Sequence, residues 1–152
     1  MRWHCPRADQ PGRAAPAIER RCMALKTKSF WSPIDRKADG LRILATRFRG
    51  RGTSTAGYDV WMPSLAPSEA LLKGRLAGKV SWAEFARRYK TELHEDGPVD
   101  ARCATIKNHG QKFTLRLIAE LARTGDVTLL CLCAEDEKQC HRHLLEKEIG
   151  KA

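Results

Sequence analysis

The chain has 152 residues, of which 42% are hydrophobic and 30% are charged. This composition is typical of one globular domain with a buried core, and it excludes a disordered chain. No apolar run approaches the roughly 20 residues that cross a bilayer, which excludes a helical membrane span. Because residues 1–23 lack the apolar core of a signal peptide, we expect a cytoplasmic protein whose six cysteines are thiols or ligands.

The formal net charge of +10 indicates an anionic partner, but the charge is unevenly placed. Residues 1–28 contain seven Lys or Arg against two Asp or Glu, which is half of the net charge. Residues 1–25 show no hydrophobic period, so we expect a disordered basic arm there. Met23 is a reasonable alternative start, which leaves open an over-extended N-terminus. The folded domain is predicted over residues 26–150.

Two extended segments are predicted in the first third of the chain. Residues 28–31 are the first, and residues 41–45 form a buried strand after the turn at Asp39-Gly40. Residues 47–58 hold arginines and glycines without an apolar period, which predicts a loop.

Helices are predicted in the middle of the chain from their caps and apolar faces. Ser68 and Ser81 are each predicted to cap a helix, the second with an apolar face that includes Phe85 and Tyr89. A further helix is predicted around residues 113–121, with its apolar face formed by Phe113, Leu117, Ile118 and Leu121 and with Gly125 as a left-handed cap.

The C-terminal part predicts a strand followed by a helix. Residues 127–133 are apolar on both faces, which is typical of a strand covered on both sides. The final helix is predicted over residues 139–149 with Asp136 as its N-cap. Strands separated by helices favour a small single α/β domain with a mainly parallel sheet flanked by helices.

The turn between that strand and helix carries the best candidate for chemistry, Cys140-His141-Arg142. A thiol in a first helical turn beside a histidine and an arginine is favoured as thiolate, which makes Cys140 the candidate nucleophile. His141 is the candidate proton acceptor. The acidic residues 135–137 oppose thiolate formation, so a structural, half-buried cysteine is the alternative.

A metal site is a second interpretation of the same turn. Cys131, Cys133 and Cys140, with His141 or His143, could supply soft ligands for zinc, and alternation along a strand puts Cys131 and Cys133 on one face. The spacing is not a common zinc-binding one, and buried cysteines are frequent in sheet cores. We therefore expect no cofactor, with zinc as the alternative.

Three arginines, Arg47, Arg49 and Arg51, follow the strand at residues 41–45. Ligands of open α/β sheets bind beyond the carboxyl ends of the strands, where this loop should meet Arg142. Guanidinium groups bind phosphate or carboxylate in a bidentate way, so an anion pocket is predicted, and a solvated basic loop is the alternative.

Aromatic residues near this loop support a different class of partner. Phe48, Tyr58 and Trp61 could stack on bases while the arginines contact phosphates. However, no helix-turn-helix, RNA-recognition or zinc-finger pattern is present.

Five blocks of the sequence occur in an order that resembles a known bacterial family. The blocks are residues 47–52 (RFRGRG), 59–61 (DVW), 65–71 (LAPSEAL), 82–93 (WAEFARRYKTEL) and 127–131 (VTLLC). Over residues 26–150 they resemble the YeaO-like family, domain of unknown function family 488. The family loop reads Arg-Leu-Trp-Pro-Arg-Gly, so Arg47, Arg51 and Gly52 match it, whereas residues 48–50 differ.

The resemblance implies a compact α/β domain whose site combines these arginines with the Cys-His-Arg turn, and it implies no particular reaction. We expect a small phosphate- or carboxylate-bearing ligand to be bound by Arg47, Arg51, Arg142 and Arg49, with thiol chemistry at Cys140. The alternative is a non-catalytic module that binds nucleic acid or a protein partner. Whether the protein is an enzyme, and its oligomeric state, are left open.

Overall fold

A four-stranded, fully parallel sheet forms the centre of the computed structural model, which describes residues 24–95 and 110–152. Its strands are β1 (Leu25–Ser29), β2 (Leu41–Leu44), β3 (Val60–Trp61) and β4 (Val127–Cys131). They lie in the order β1-β4-β2-β3, so the last strand is inserted between the first two. The predicted α/β class with a mainly parallel sheet is confirmed.

Helices flank this sheet and connect its strands. They are α1 (Arg36–Asp39), α2 (Glu69–Leu76), α3 (Trp82–His94), α4 (Lys112–Thr124) and α5 (His141–Ile149), with short 3-10 turns at Thr55–Gly57 and Pro63–Leu65. Within the described ranges, no helix combines the length and hydropathy that a membrane span requires. The predicted basic arm lies outside the described residues except for its last two positions.

Two predicted serine caps are confirmed. The Ser68 hydroxyl accepts a hydrogen bond from the Leu71 N–H at the start of α2, and the Ser81 hydroxyl accepts one from the Glu84 N–H at the start of α3. Each bond satisfies an N–H group that the first helical turn leaves without a partner. The local sequence therefore determines where both helices begin.

The main core lies between one face of the sheet and helices α3, α4 and α5. Alternation along β4 sends Val127, Leu129 and Cys131 to this face and Thr128 and Leu130 to the other. The second face is covered by a smaller cluster of Phe30, Leu44 and Leu130. A strand covered on both sides is what the apolar run at residues 127–133 predicts.

The predicted apolar face of α4 is wrong in most of its residues. Phe113, Leu117 and Leu121 are 60%, 55% and 39% exposed, and only Ile118 of the predicted set is buried. The face that packs on the core is Leu115, Ile118, Ala119 and Ala122. Small alanine side chains let a helix approach the sheet closely, and a prediction of the apolar face from large apolar residues leaves them out.

The other differences concern the ends of elements. The backbone of Gly125 is extended (φ −160°) and not left-handed as predicted, and β4 ends at Cys131, the last position that pairs with β1. Helix α5 begins at His141, two residues later than predicted, with Cys140 as its extended N-cap residue. Asp136 is therefore not the N-cap, and Cys140 precedes the first helical turn.

All four strands run in the same direction, so their carboxyl ends meet at one edge of the sheet. The segments that leave β2 and β4 there begin with Ala45 and Leu132. This edge brings together the arginine loop and the cysteine-containing turn, which are distant in sequence.

Candidate functional site

Three thiols gather at the carboxyl edge of the sheet, and we call Cys131, Cys133 and Cys140 the cysteine cluster. The Sγ atoms of Cys131 and Cys133 are 3.5 Å apart. The Sγ atom of Cys140 lies within 4.8 Å of that of Cys131. Cys131 and Cys140 are buried, whereas Cys133 is half-buried, so Cys133 is the thiol of the cluster that is most open to solvent.

His141 completes this group from the first position of α5. Its Nε2 atom lies 2.6 Å from the carbonyl oxygen of Ala45, and because a carbonyl only accepts, Nε2 carries the ring proton. The Nδ1 atom then presents a lone pair to Cys131, whose Sγ is 3.9 Å away. Burial lowers the pKa of His141, which keeps the ring neutral.

The cysteine cluster carries its negative charge on Cys131. Hydrogen bonds donated by Cys133 and Cys140 lower the pKa of Cys131 to about 3, in spite of the opposing effect of burial. The pKa values of Cys133 and Cys140 are raised, chiefly because each thiol keeps the proton that it donates to Cys131. The three thiols therefore titrate as one group, with the first ionisation centred on Cys131 and not on Cys140.

A cavity of about 280 Å³, here the edge cavity, opens beside the cluster at the carboxyl ends of β2 and β4. Cys131, Cys133 and His141 form part of its wall. The remaining lining residues are Thr46, Arg47, Phe48, Gly50, Ala66, Pro67, Leu72, Leu76 and Leu132. Most of these side chains are apolar, so the cavity suits a small molecule with an apolar body.

A second cavity of about 390 Å³, here the helix cavity, lies on the other side of the cluster. Cys133, Cys140 and His141 form one side of it. The other lining residues come from α2, the turn after it, α3 and the turn before α5, and they are Leu72, Arg75, Leu76, Gly78, Trp82, Phe85, Glu137 and Gln139. Leu72, Leu76, Cys133 and His141 line both cavities. Cys133 is therefore the thiol that both spaces reach.

The polar groups of the edge cavity are Thr46 and Arg47. The Thr46 hydroxyl is buried and has no hydrogen-bond partner, which is costly for a polar group unless a ligand or a water bonds to it. Arg47 donates from Nε to Pro67 O and from Nη2 to Ala66 O, both at 3.0 Å. Within the described residues its Nη1 atom has no acceptor, so it remains able to bind an anion.

The structure does not bring Arg142 to this cavity. Its guanidinium is fully buried and donates to the carbonyl oxygens of Cys133, Ala134 and Glu135, with the closest contact at 2.7 Å. These bonds hold the turn between β4 and α5. The predicted meeting of Arg142 with Arg47 around one anion is therefore not formed, because loop carbonyls accept from both terminal nitrogens of Arg142, while its Nε is buried without a partner among the described residues.

Arg49 and Arg51 also lie away from the edge cavity. Arg49 donates to the Tyr58 hydroxyl at 3.0 Å and stacks 5.1 Å above the ring of Trp61. Arg51 is exposed, and in the part of the chain that the structure describes its side chain forms neither a hydrogen bond nor an ion pair. Of the three loop arginines, only Arg47 lines the cavity.

His143, the predicted metal-ligand alternative, faces away from the thiols. Its Nδ1 lies 3.3 Å from the Thr27 hydroxyl and its Nε2 lies 3.1 Å from Glu137 O. His141 is therefore the histidine within reach of the cluster. Residues Cys131, Cys140 and His141 offer three donor atoms that lie within 4.8 Å of one another, which is a spacing suitable for a metal ion.

Sequence reasoning missed Thr46, Leu72 and Leu76 as wall residues. Thr46 follows β2 directly, so its place beyond a strand end was a usable signal. No comparable signal marks the two leucines, since an apolar residue on a short helix is far more often part of a core.

Comparisons with known proteins agree with the residue pattern. No curated protein and no solved structure gave a significant match to this chain. A family model, DUF488-N3a, described as the active DUF488-N3 subclade, matches residues 25–152. That range includes the whole sheet, the cysteine cluster and both cavities, and it agrees with the predicted YeaO-like resemblance. The chain therefore belongs to the DUF488 family, in its DUF488-N3a group.

Proposed function

We propose that this protein acts on a small anionic molecule bound in the edge cavity, with the cysteine cluster as the reacting group. The observation that carries the proposal is that one cavity wall contains two of the cluster thiols, Cys131 and Cys133, together with Arg47 and the unpaired hydroxyl of Thr46. An anionic group of the ligand would be bound at Thr46 and Arg47, and the apolar body would reach toward Cys133. The description of the DUF488-N3a group as active is consistent with a chemical role.

The charge distribution supports a sulfur centre. Arg142 is a fully buried cation. Among the described residues it forms no direct ion pair, although the carboxyl group of Glu135 interacts with it electrostatically. A buried charge is costly unless an opposite charge lies near it, and Cys131 is close enough to interact electrostatically with this guanidinium. A thiolate in the cluster would add a second negative charge beside this guanidinium, next to that of Glu135. Arg142 would then stabilise the reacting sulfurs and not the ligand.

Two alkylating reagents of nearly equal size test the proposal, anionic iodoacetate and neutral iodoacetamide. Iodoacetate should modify Cys133 of the folded, chelator-treated chain faster, relative to iodoacetamide, than it does in the urea-unfolded chain. A charge-assisted hydrogen bond corresponds to a preference of about tenfold or more. Peptide mapping by mass spectrometry gives the rate at each cysteine.

Matched variants decide whether the preference comes from the cavity. Arg47→Gln should remove it, whereas Arg51→Gln, which changes an exposed arginine outside the cavity, should keep it. Ala66→Leu should slow modification by partly filling the cavity, and Ala70→Leu on the exposed side of α2 should not. Equal reagent ratios in folded and unfolded chains would show that no anion is recognised beside Cys133.

Nucleic-acid binding is a second candidate, favoured by an exposed aromatic surface. Trp31, Phe48 and Trp61 are all substantially exposed, and Arg49 stacks on Trp61. Bases stack on such rings while arginine contacts phosphate. This surface would bind single strands without reading their sequence.

Deletion of residues 1–22 and the substitution Trp61→Ala separate the two possible sources of such binding. Affinity for single-stranded DNA that survives the deletion but falls in Trp61→Ala would support the aromatic surface. Affinity lost only with the deletion would assign it to the basic arm, and its decrease with salt would show how many phosphates are contacted.

A further inference from the structure

The cysteine cluster and His141 together form an arrangement that goes beyond thiol chemistry. Three donor atoms, from Cys131, Cys140 and His141, lie within 4.8 Å of one another at the end of β4 and the start of α5. The Sγ atom of Cys133, 3.5 Å from that of Cys131, supplies a fourth donor at the edge of this group. Soft sulfur ligands and imidazole are the donors that zinc prefers in proteins, and four of them satisfy its usual coordination number.

The two spacings measured from Cys131 are close to the edges of a tetrahedral site. With bond lengths of about 2.3 Å to sulfur and 2.0–2.1 Å to nitrogen, the tetrahedron edges are about 3.8 Å between sulfurs and about 3.6 Å from sulfur to nitrogen. The distances from Cys131 Sγ to Cys133 Sγ and to His141 Nδ1 are 3.5 and 3.9 Å. Cys140 Sγ lies within 4.8 Å of Cys131 Sγ and of a ring nitrogen of His141.

The second nitrogen of His141 is fixed in the way that metal-binding histidines require. Such a residue usually donates its other ring N–H to a carboxylate or backbone carbonyl, which orients the ring and selects the tautomer. His141 donates from Nε2 to Ala45 O, at 2.6 Å. The free Nδ1 lone pair then faces the sulfurs, and the site is oriented without any further side chain.

Arg142 accounts for the charge that such a site would carry. Three thiolates and one neutral imidazole around a divalent cation leave a net charge of −1. The fully buried Arg142 lies beside the cluster and, within the described residues, forms no direct ion pair, although the Glu135 carboxyl also interacts with it electrostatically. The two charges would offset each other on the buried side of the site, where Arg142 lies.

We propose that Cys131, Cys133, Cys140 and His141 bind one soft divalent cation of the zinc type through three sulfurs and Nδ1. This inference rests on the proposed function, because it names a metal cofactor for the same cysteine cluster. The three buried donors would hold the ion, and the half-buried Cys133 would be the ligand at the wall that both cavities share.

Cobalt titration tests the site directly. Full-length chain with Cys5, Cys22 and Cys103 replaced by serine keeps only the cluster thiols. Addition of Co²⁺ to the metal-free protein should produce tetrahedral d–d bands and a sulfur-to-cobalt charge-transfer band that saturate at one equivalent. Zn²⁺ should then abolish both signals by displacement. Elemental analysis of the unmodified chain, as purified, checks which metal it carries.

Two histidine variants provide a matched pair. His141→Gln should weaken Co²⁺ binding by at least the 10- to 100-fold that loss of a supporting group costs, whereas His143→Gln should leave it unchanged. Cys133→Ser should lower the charge-transfer intensity by about one third, because one of three sulfurs is lost. Since Cys133 is half-buried, this variant serves if changes at buried positions prevent folding.

The outcomes separate this inference from the proposed function. Absence of a saturable thiolate–cobalt spectrum, or a spectrum that His141→Gln does not change, would overturn the metal site. The reagent preference at Cys133 in chelator-treated protein would then still stand. Conversely, a cobalt spectrum of the expected kind with no preference for iodoacetate would keep the metal site and reject the anion-binding cavity.

Discussion

His141 Nε2 is hydrogen-bonded to the backbone carbonyl of Ala45, 96 residues earlier in the chain, at 2.6 Å. This bond joins the start of α5 to the residue that follows β2. It also decides which ring nitrogen faces the thiols. Because the acceptor is a backbone atom, no side-chain substitution at Ala45 removes it.

The first prediction concerns the tautomer of His141. We expect ¹⁵N spectra of the imidazole to show a protonated Nε2 and an unprotonated Nδ1, in metal-free and metal-loaded protein alike. Comparison with His141→Gln assigns the signals. A proton on Nδ1 would contradict both the hydrogen bond to Ala45 and the lone pair offered to Cys131.

Arg142 should be a structural residue whose loss destabilises the turn before α5. Arg142→Met removes the donors to three backbone carbonyls, and we expect a decrease in the free energy of unfolding of about 3 kcal/mol, measured by urea denaturation. Arg88→Met, at an exposed position of α3, is the control and should change the stability by no more than about 0.5 kcal/mol. If Arg142→Met leaves the free energy of unfolding unchanged, the turn is held by other contacts.

The buried hydroxyl of Thr46 gives the third prediction. Thr46→Val keeps the shape of the side chain and removes a polar atom that has no partner, so the free energy of unfolding should stay the same or rise by up to about 1 kcal/mol. The same change should lower the preference of Cys133 for iodoacetate. A loss of more than about 1 kcal/mol would indicate that the hydroxyl does have a partner in the folded protein.

Two glycines with positive φ should differ in their tolerance of alanine. A Cβ at Gly40 (φ 60°) would collide with the backbone carbonyl of Asp126, whereas Gly52 (φ 81°) faces open space. Gly52→Ala should therefore lower the free energy of unfolding only by the cost of placing alanine in a left-handed conformation, about 1 kcal/mol. Gly40→Ala should lower it by at least about 3 kcal/mol. Thermal and urea unfolding of both variants measure the difference, and equal costs would contradict the close approach at Gly40.

Acid should destabilise the fold partly through Asp59. A hydrogen bond from the Arg42 backbone N–H, at 2.8 Å, and another from Arg36 lower the pKa of this carboxyl. A lowered folded-state pKa contributes stability above the unfolded value of about 3.9, and this contribution is lost as the pH falls through the folded value.

Urea unfolding between neutral and acidic pH measures this contribution. Asp59→Asn should reduce both the stability at neutral pH and its slope in the acid range. Asp136→Asn, at an exposed position, is the matched control. If the Asp59 variant and the wild-type protein have the same slope, Asp59 is not linked to folding.

Much of the fold could be predicted because it is encoded in local patterns. Ser68 and Ser81 satisfy N–H groups of their own helices, so the two helix starts depend on neighbouring residues only. The apolar run at residues 127–133 predicts a central strand, and the strand is covered on both faces. The predicted face of α4 is wrong because it relies on large apolar residues and overlooks Ala119 and Ala122, which pack on the core.

In the candidate site too, local residue types predict some features, and tertiary packing decides the others. Residue types predict a chemical centre at the turn into Cys140-His141-Arg142, with Cys131 and Cys133 in the metal alternative, and Cys131, Cys140 and His141 do lie together there. The spacing of residues along the sequence does not show whether Arg142 contacts an anion or whether His143 contacts a metal. Both side chains are instead engaged by backbone carbonyls of the turn, with Thr27 as a further contact of His143.

The sequence alone determined the α/β class, the caps at Ser68 and Ser81, the family and the cysteine-containing turn, because each follows from residue types at short spacing. Only the tertiary structure decided which donors face one another. It placed β4 between β1 and β2, which brought Ala45 to His141 and Thr46 to the cysteine cluster. Contacts between residues about ninety positions apart depend on strand order and side-chain direction, and neither is set by local sequence.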